Sequence, residues 1–195
     1  MNTEGSINML IEKLASINPV SPGLSQFLTE KASIGRWPKN RILHTEGSVP
    51  KNVWFIASGT VRTSIYNNQK AEFQTSWYWF EGEIVCMFQS FFRQIPCEDL
   101  LETIEESVLI EYSYADIMQM FSLFPAEASH LARIITEDYI DRVASFQRDL
   151  QRLNAKQRYE KLFEKYPGLF QKTSLKDIAS YLIISQESLS RVRRG

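Results

Sequence analysis

The spacing of apolar residues changes period several times along this chain, and each change marks an element. Ile7, Leu10, Leu14 and Ile17 recur at helical spacing, which predicts a helix over 6–18 that Pro19 and Pro22 end. A second short helix follows Ser21 and Pro22 and carries Leu24, Phe27 and Leu28. From about Ile34 the period falls to two. Ile42 and Leu43, residues 53–57, and Val61, Thr63 and Ile65 read as strands, punctuated by Glu46-Gly47, Ser58-Gly59 and Asn67-Asn68. Phe73, Thr75, Trp77 and Trp79 alternate with Glu72, Gln74, Ser76 and Tyr78, the pattern of a half-buried strand. Further strands are expected over 100–104 and 108–112, with a short helix over 83–93 set among them. Many short strands with turn signals at close intervals predict a sandwich or jelly-roll barrel.

Helical spacing returns with Ile117, Met118, Phe121 and Phe124, up to Pro125. Residues 126–153 contain neither Gly nor Pro, and Leu131, Ile135, Tyr139, Val143, Phe146, Leu150 and Leu153 form one apolar stripe. From Tyr139 onward its 4-3-4-3 spacing is that of a coiled-coil seam. A helix of about 28 residues runs roughly 42 Å, longer than a small domain needs. Pairing with a partner helix gives that length a purpose, and the alternative is a stripe laid on its own barrel. A further helix over 155–166, carrying Tyr159, Leu162 and Phe163, ends at Pro167-Gly168.

The stretch 173–194 reads as a helix-turn-helix. Ser174 caps a first short helix, with Asp177 three residues on closing a capping box. Leu175, Ile178, Ala179 and Leu182 share one face, Ile183 and Ile184 form the turn, and Ser185 caps a second helix with Leu189 and Val192 inward. Gln186, Glu187, Ser188, Arg191 and Arg194 then point outward. These residue types suit a major groove: Arg for guanine, Glu for the cytosine amino group, Gln for adenine. Ser185, Ser188 and the helix start can hold phosphate. A pair of amphipathic helices with solvated polar faces has the same pattern, so the neighbouring elements must decide between the two.

The net charge of −1 conceals an asymmetry. From Arg142 to the end there are 12 basic and 5 acidic residues, and before it 10 basic and 18 acidic. A basic C-terminal part on an acidic remainder fits a nucleic-acid-facing module on a sensor or scaffold. Cys86 and Cys97 have neither CxxC nor zinc-ligand spacing, so two reduced thiols in a cytoplasmic protein are expected. No signal-peptide pattern and no apolar run of membrane-spanning length is present. His44 and His130 are the only histidines, which leaves no metal set of the kind that jelly-roll enzymes use. No Ser–His–Asp or Cys–His constellation can be nominated, so no catalytic residue, no metal and no required cofactor is expected.

Barrel, long helix, short helix, helix-turn-helix is the order found in the Crp/Fnr family of bacterial transcription regulators, and local motifs agree. Ile42-Leu43 followed by Glu46-Gly47 resembles the family's strand and "EG" turn. Val53-Trp54-Phe55-Ile56-Ala57-Ser58-Gly59-Thr60-Val61-Arg62 resembles its "YFILSGxVR" stretch. Gly82-Glu83 looks like the "GE" that opens the phosphate-binding cassette, and Ile178-Ala179-Ser180-Tyr181-Leu182, then 185–191, resembles its DNA-reading unit. The resemblance covers about residue 34 to the C-terminus.

It implies an α+β chain in three parts: N-terminal helices and a cyclic-nucleotide-binding-like barrel over 1–124, a dimerisation helix over 125–153, and a helix-turn-helix domain over 154–195. The implied partners are a second copy of the chain, double-stranded DNA with a near-palindromic operator, and RNA polymerase, with no membrane. Gln186, Glu187 and Arg191 fall where family members contact bases. Ser174, Ser185 and Ser188 fall where they contact phosphate, with Arg193 and Arg194 as further phosphate contacts. Leu131, Ile135, Tyr139, Val143, Phe146 and Leu150 fall on the dimer helix. Trp79, Gly82, Glu83, Phe91, Arg93, Pro96 and Cys97 mark the implied effector pocket.

The departures from the family pattern carry as much information. Pro96-Cys97 stands where cyclic-nucleotide binders carry an Arg-Ser or Arg-Thr pair on the cyclic phosphate. Proline supplies neither charge nor N–H for an anion. Arg93 is the one shifted substitute, and Glu98 and Asp99 oppose the anion. Cyclic AMP binding by the usual chemistry is therefore not expected. The pocket is either empty or takes a small-molecule effector of unknown identity, apolar or aromatic, among Trp77, Trp79, Phe88, Phe91 and Phe92. The family's iron–sulfur and haem sensors fit poorly, because there is no N-terminal cysteine cluster. The sequence ends at Gly195, where many relatives continue into a two-stranded wing, so the wing is expected to be absent. Ile183 stands where relatives often have Gly, a strained choice if that residue needs a positive φ. A barrel that acts through protein–protein contacts, its helix-turn-helix vestigial, is the competing reading.

Overall fold

Two four-stranded antiparallel sheets face each other in the computed structural model, which describes residues 3–194. One contains β1 (Ser33–Trp37), β8 (Ser107–Ser113), β3 (Asn52–Ser58) and β6 (Ile84–Val85), in that order. The other contains β2 (Ile42–His44), β7 (Asp99–Thr103), β4 (Thr60–Asn67) and β5 (Glu72–Phe80). Helices α1 (Thr3–Ile17) and α2 (Pro22–Lys31) precede this jelly roll, and α3 (Phe88–Arg93) is set within it. After it come α4 (Tyr114–Leu123), the long α5 (Pro125–Arg152), α6 (Ala155–Lys165), α7 (Leu169–Lys172), α8 (Leu175–Tyr181) and α9 (Gln186–Arg194). The expected α+β class with jelly roll, long helix and helical C-terminal part is what the chain adopts.

Strand β3 reads as a continuous apolar run because both of its faces are covered. Phe55 and Ala57 pack with Leu10, Leu14 and Leu24 of α1 and α2. Trp54 and Ile56 point into the barrel, with Val61, Trp79, Leu101 and Leu109. A tight turn at Gly59 joins β3 to β4. Its φ is +105°, and a Cβ there would lie 2.2 Å from the Ser107 Oγ, so only Gly fits.

Three expectations need correction. Residues 83–93 are not one helix: Ile84 and Val85 form β6, paired with Phe55 and Trp54, and only Phe88–Arg93 is helical. Gly82, at φ +81°, turns the chain and donates its N–H to the Ile56 carbonyl, which steers a β-branched pair onto the sheet edge. Second, strict alternation fails in β5. Tyr78, expected outward, is 1% exposed, and Phe73 is 39% exposed. A bulge opposite Thr63 and Ser64 shifts the register, and α8 covers the outer face of β5. Third, β1 and α7 carry too few periodic positions to be expected from spacing.

Helix α5 has Pro at its first turn, where the missing N–H costs nothing. Its apolar stripe is divided. Leu131 and Ile135 pack on the cluster formed with α1, α2 and β3. Tyr139 stacks on Trp79 (centroids 5.5 Å, 12° between planes), and Phe146 stacks on Tyr181 (5.0 Å, 22°). These four residues, assigned to the dimer helix by spacing, pack on the rest of the chain, Leu131 buried and the other three half-buried. Val143 and Leu150 are half-buried, and Ile140 beside them is 57% exposed.

Candidate nucleic-acid interface and effector pocket

The C-terminal unit is built on a small core of Leu162, Leu169, Ile178, Ala179, Leu182 and Leu189. Ser174 caps α8: its Oγ accepts from the Asp177 N–H at 3.1 Å. The expected box closes only halfway, because the Asp177 carboxylate accepts a hydrogen bond from the Ser174 hydroxyl (2.6 Å) and turns to Arg62 of the barrel. The turn spans 182–185, and Ile183 sits at φ +54°, 62% exposed. The N–H groups of Ile183 and Ile184 still donate to the Ser180 and Ala179 carbonyls at 3.0 Å each. A β-branched residue in this left-handed region costs about 1–2 kcal/mol.

On α9, Ser185 accepts from the Ser188 N–H at 3.1 Å. The buried Leu189 and half-buried Val192 face the core, while Gln186, Glu187, Arg191, Arg193 and Arg194 are exposed. No salt bridge among the described residues involves the three arginines. Arg191 donates to the Ser188 Oγ at 3.1 Å, and Arg194 leans on Ser190. The Glu187 carboxyl lies below its ordinary value because its own backbone N–H and the Ser185 hydroxyl donate to it. It is an acceptor at neutral pH. The helix therefore offers three cations and one acceptor on a solvent face, with its cap satisfied. Ser174, Ser185 and Ser188 are already engaged in these local bonds.

The opposite side of the unit is docked on the jelly roll. Arg62 of β4 reaches Glu102 of β7 and Asp177 of α8, each at 2.5 Å. Burial alone would raise the Asp177 carboxyl, but the Ser174 hydroxyl and the Arg62 guanidinium pull it below its ordinary value. Lys172 pairs with Glu105 at 2.9 Å, and Lys176 pairs with Glu72. Tyr181 meets Tyr78 at 5.1 Å between ring centroids, and Phe80 stacks on Tyr166 at 3.6 Å. Sequence reasoning placed Arg62 only as part of a motif. Its partner lies over a hundred residues away, so no local signal exposes the bridge.

The pocket implied for an effector is a cavity of about 760 Å³ between β4, β5, α3 and the outer stretch of α5. Of the seven residues nominated for it, Trp79 and Cys97 line it. Phe91 is fully buried against Tyr114 in the core beneath α1 and α2. Arg93 and Pro96 are exposed outside the lining. Gly82 belongs to the turn before β6, and Glu83 pairs with Arg142 of α5 at 3.1 Å. Burial raises the Glu83 carboxyl, and Arg142 draws it back. Trp77 and Phe88 join the lining, whereas Phe92 does not. No Lys or Arg is among the lining residues, and the single charged one is Asp99. No basic side chain therefore stands on this lining to meet an anion.

No family model matches this sequence, and no curated protein does. Solved structures match over most of the chain. FixK2 from Bradyrhizobium japonicum superposes with a TM-score of 0.70 at 15% identity, covering 84% of this chain and 83% of its own. A chain from Eubacterium rectale assigned to the Crp/Fnr family gives 0.71 at 16%, covering 91% and 83%. The c-di-GMP-responsive regulator CLP of Xanthomonas campestris gives 0.68 at 17%, covering 89% and 90%.

The chain has the Crp/Fnr fold.

Within this Crp/Fnr fold, α9 lies at the far end of the helical part from α1 in chain order, and the cavity lies where the jelly roll meets α5. The identities are low, so the likeness concerns architecture, and the residues above carry any argument about chemistry.

Proposed function

We propose that the chain is a sequence-specific DNA-binding transcription regulator of Crp/Fnr type, acting as a homodimer on a near-palindromic operator. The observation that carries this reading is α9, which exposes Gln186, Glu187, Arg191, Arg193 and Arg194 beyond a satisfied Ser185 cap. Gln186, Glu187 and Arg191 read base edges, and Arg193 and Arg194 meet phosphate. Dimerisation runs along α5. Because Tyr139 packs on the barrel and Phe146 on Tyr181 of α8, the seam is made by Val143 and Leu150 of the stripe together with Ile140 beside it. The barrel is an effector domain that does not take cyclic AMP in the usual way, and RNA polymerase is the further partner. The setting is cytoplasmic. Among the described residues no helix is long and apolar enough to cross a membrane.

Selection from a random duplex pool with the purified full chain tests the reading. Enrichment of a two-fold symmetric site is expected, and a pool that stays random would sink it. A second reading, a barrel working through protein contacts with a vestigial helix-turn-helix, is favoured by the docking of α8 through Arg62 and Asp177. Sequence-specific binding by the purified protein excludes it.

A further inference from the structure

We propose that the cavity between the jelly roll and α5 takes a small organic cation, an ammonium or guanidinium on an apolar or aromatic body, with Asp99 as its counter-ion. This rests on the reading of the barrel as an effector domain and assigns its ligand class. Asp99 is half-buried, and its carboxylate accepts a hydrogen bond from a thiol, the Cys97 Sγ at 3.4 Å. It makes no salt bridge among the described residues. Burial raises its carboxyl above the ordinary value, the mark of a charge short of compensation. His44 is near enough to feel this charge, and burial lowers its own pKa, which disfavours its charged form. The thiols supply no charge either: burial pushes Cys86 up to about 12 and raises Cys97.

The aromatic wall is suited to the same ligand. Trp77, Trp79, Phe88, Tyr139 and Phe146 line the cavity, and aromatic faces attract organic cations. This cluster already holds one. The Arg142 guanidinium lies 5.4 Å from the Trp77 ring and 5.6 Å from the Trp79 ring, with Glu83 as its counter-ion. Asp99 faces the cavity at the same cluster as a second acid, without a cation of its own. A phosphate in this place would meet Asp99 on the lining, and the nearby Arg142 is off the lining and paired with Glu83, whereas an ammonium gains both the carboxylate and the rings. The hydroxyls of Thr63, Ser76 and Thr136 on the lining can orient a polar group on the ligand body.

Intrinsic tryptophan fluorescence of the full chain reads occupancy directly, since two of its tryptophans line the cavity. Phenethylamine, phenethyl alcohol, phenylacetate and cyclic AMP are titrated in parallel. Saturable binding of phenethylamine is expected, weaker binding of the alcohol, and none of the two anions. Asp99→Asn should weaken the amine roughly 10- to 100-fold, the worth of a charge-assisted hydrogen bond, and leave the alcohol unchanged. Thr136→Lys plants a cation on α5 at the lining and should abolish amine binding without touching Asp99. The proposal is overturned if the amine does not saturate, if either anion binds as tightly, or if both variants keep the wild-type amine affinity. Operator selection on the same preparation is scored separately. Intact operator binding with failed amine binding overturns the ligand class alone, and the reverse result overturns the regulator reading alone.

Discussion

The helix-turn-helix unit has two faces of opposite character. The face of α8 that meets the jelly roll spends its charges on partners: Asp177 on Arg62, Lys176 on Glu72, with Tyr181 inserted among Tyr78, Trp77 and Phe146. The face of α9 keeps Arg191, Arg193 and Arg194 in solvent without a salt bridge among the described residues. The contrast teaches where each kind of residue acts. Charges matched within the chain fix the unit on its mount, and charges left unmatched are available to a polyanion.

If that division is right, substitutions on the two faces have crossed effects. The largest belongs to the docked face. Arg62→Ala leaves Glu102 and Asp177, both largely shielded from solvent, without their cation, and a loss of about 3 kcal/mol is expected by urea denaturation. Base preference on any selected operator should not change. The Asp177 carboxyl, held below its ordinary value of 3.8, contributes stability that is present above that value. The contribution fades as pH falls through the lower folded value, so denaturation curves of Arg62→Ala should show a weaker acid limb than wild type.

On the free face the effect is smaller and of another kind. Arg191→Ala should relax preference at one operator position by about 1–3 kcal/mol, read by competition among duplexes that differ at that position, with the urea midpoint unchanged. Between the faces stands the turn. Ile183→Gly removes the left-handed strain of a β-branched residue and should stabilise the unit by about 1 kcal/mol, measured by thermal unfolding. A loss of stability there would mean that the Ile183 side chain, though exposed, contributes packing that outweighs its backbone conformation.

Much of this architecture is written in local spacing. Leu10 with Leu14, and Ile178 with Leu182, each announce their element because one face is buried and the other is not. The reading fails where burial depends on distant segments. Tyr78 alternates as an outward residue, yet α8, a hundred residues later, covers it. Ile84 and Val85 fit a helix by period and join the sheet because β3 has a free edge there. The same rule separates the two sites. The exposed polar face of α9 lies on one helix, so its periodicity reveals it. The cavity is assembled from β4, β5, α3 and α5, so sequence reasoning brought Trp77, Trp79, Phe88 and Cys97 to the lining, misplaced Phe91, Phe92, Arg93 and Pro96, and named Asp99 only as an acid that opposes an anion.

The central claim is that α9 reads sequence through its unmatched face. Its most direct test is the affinity of the purified chain for the selected duplex and for a scrambled duplex of equal length, measured from low to physiological salt. The account predicts that both affinities fall as salt rises, because phosphate contacts release counterions, with the selected duplex bound at least about a thousandfold more tightly at physiological salt. Equal affinity for the two duplexes at every salt concentration would contradict it.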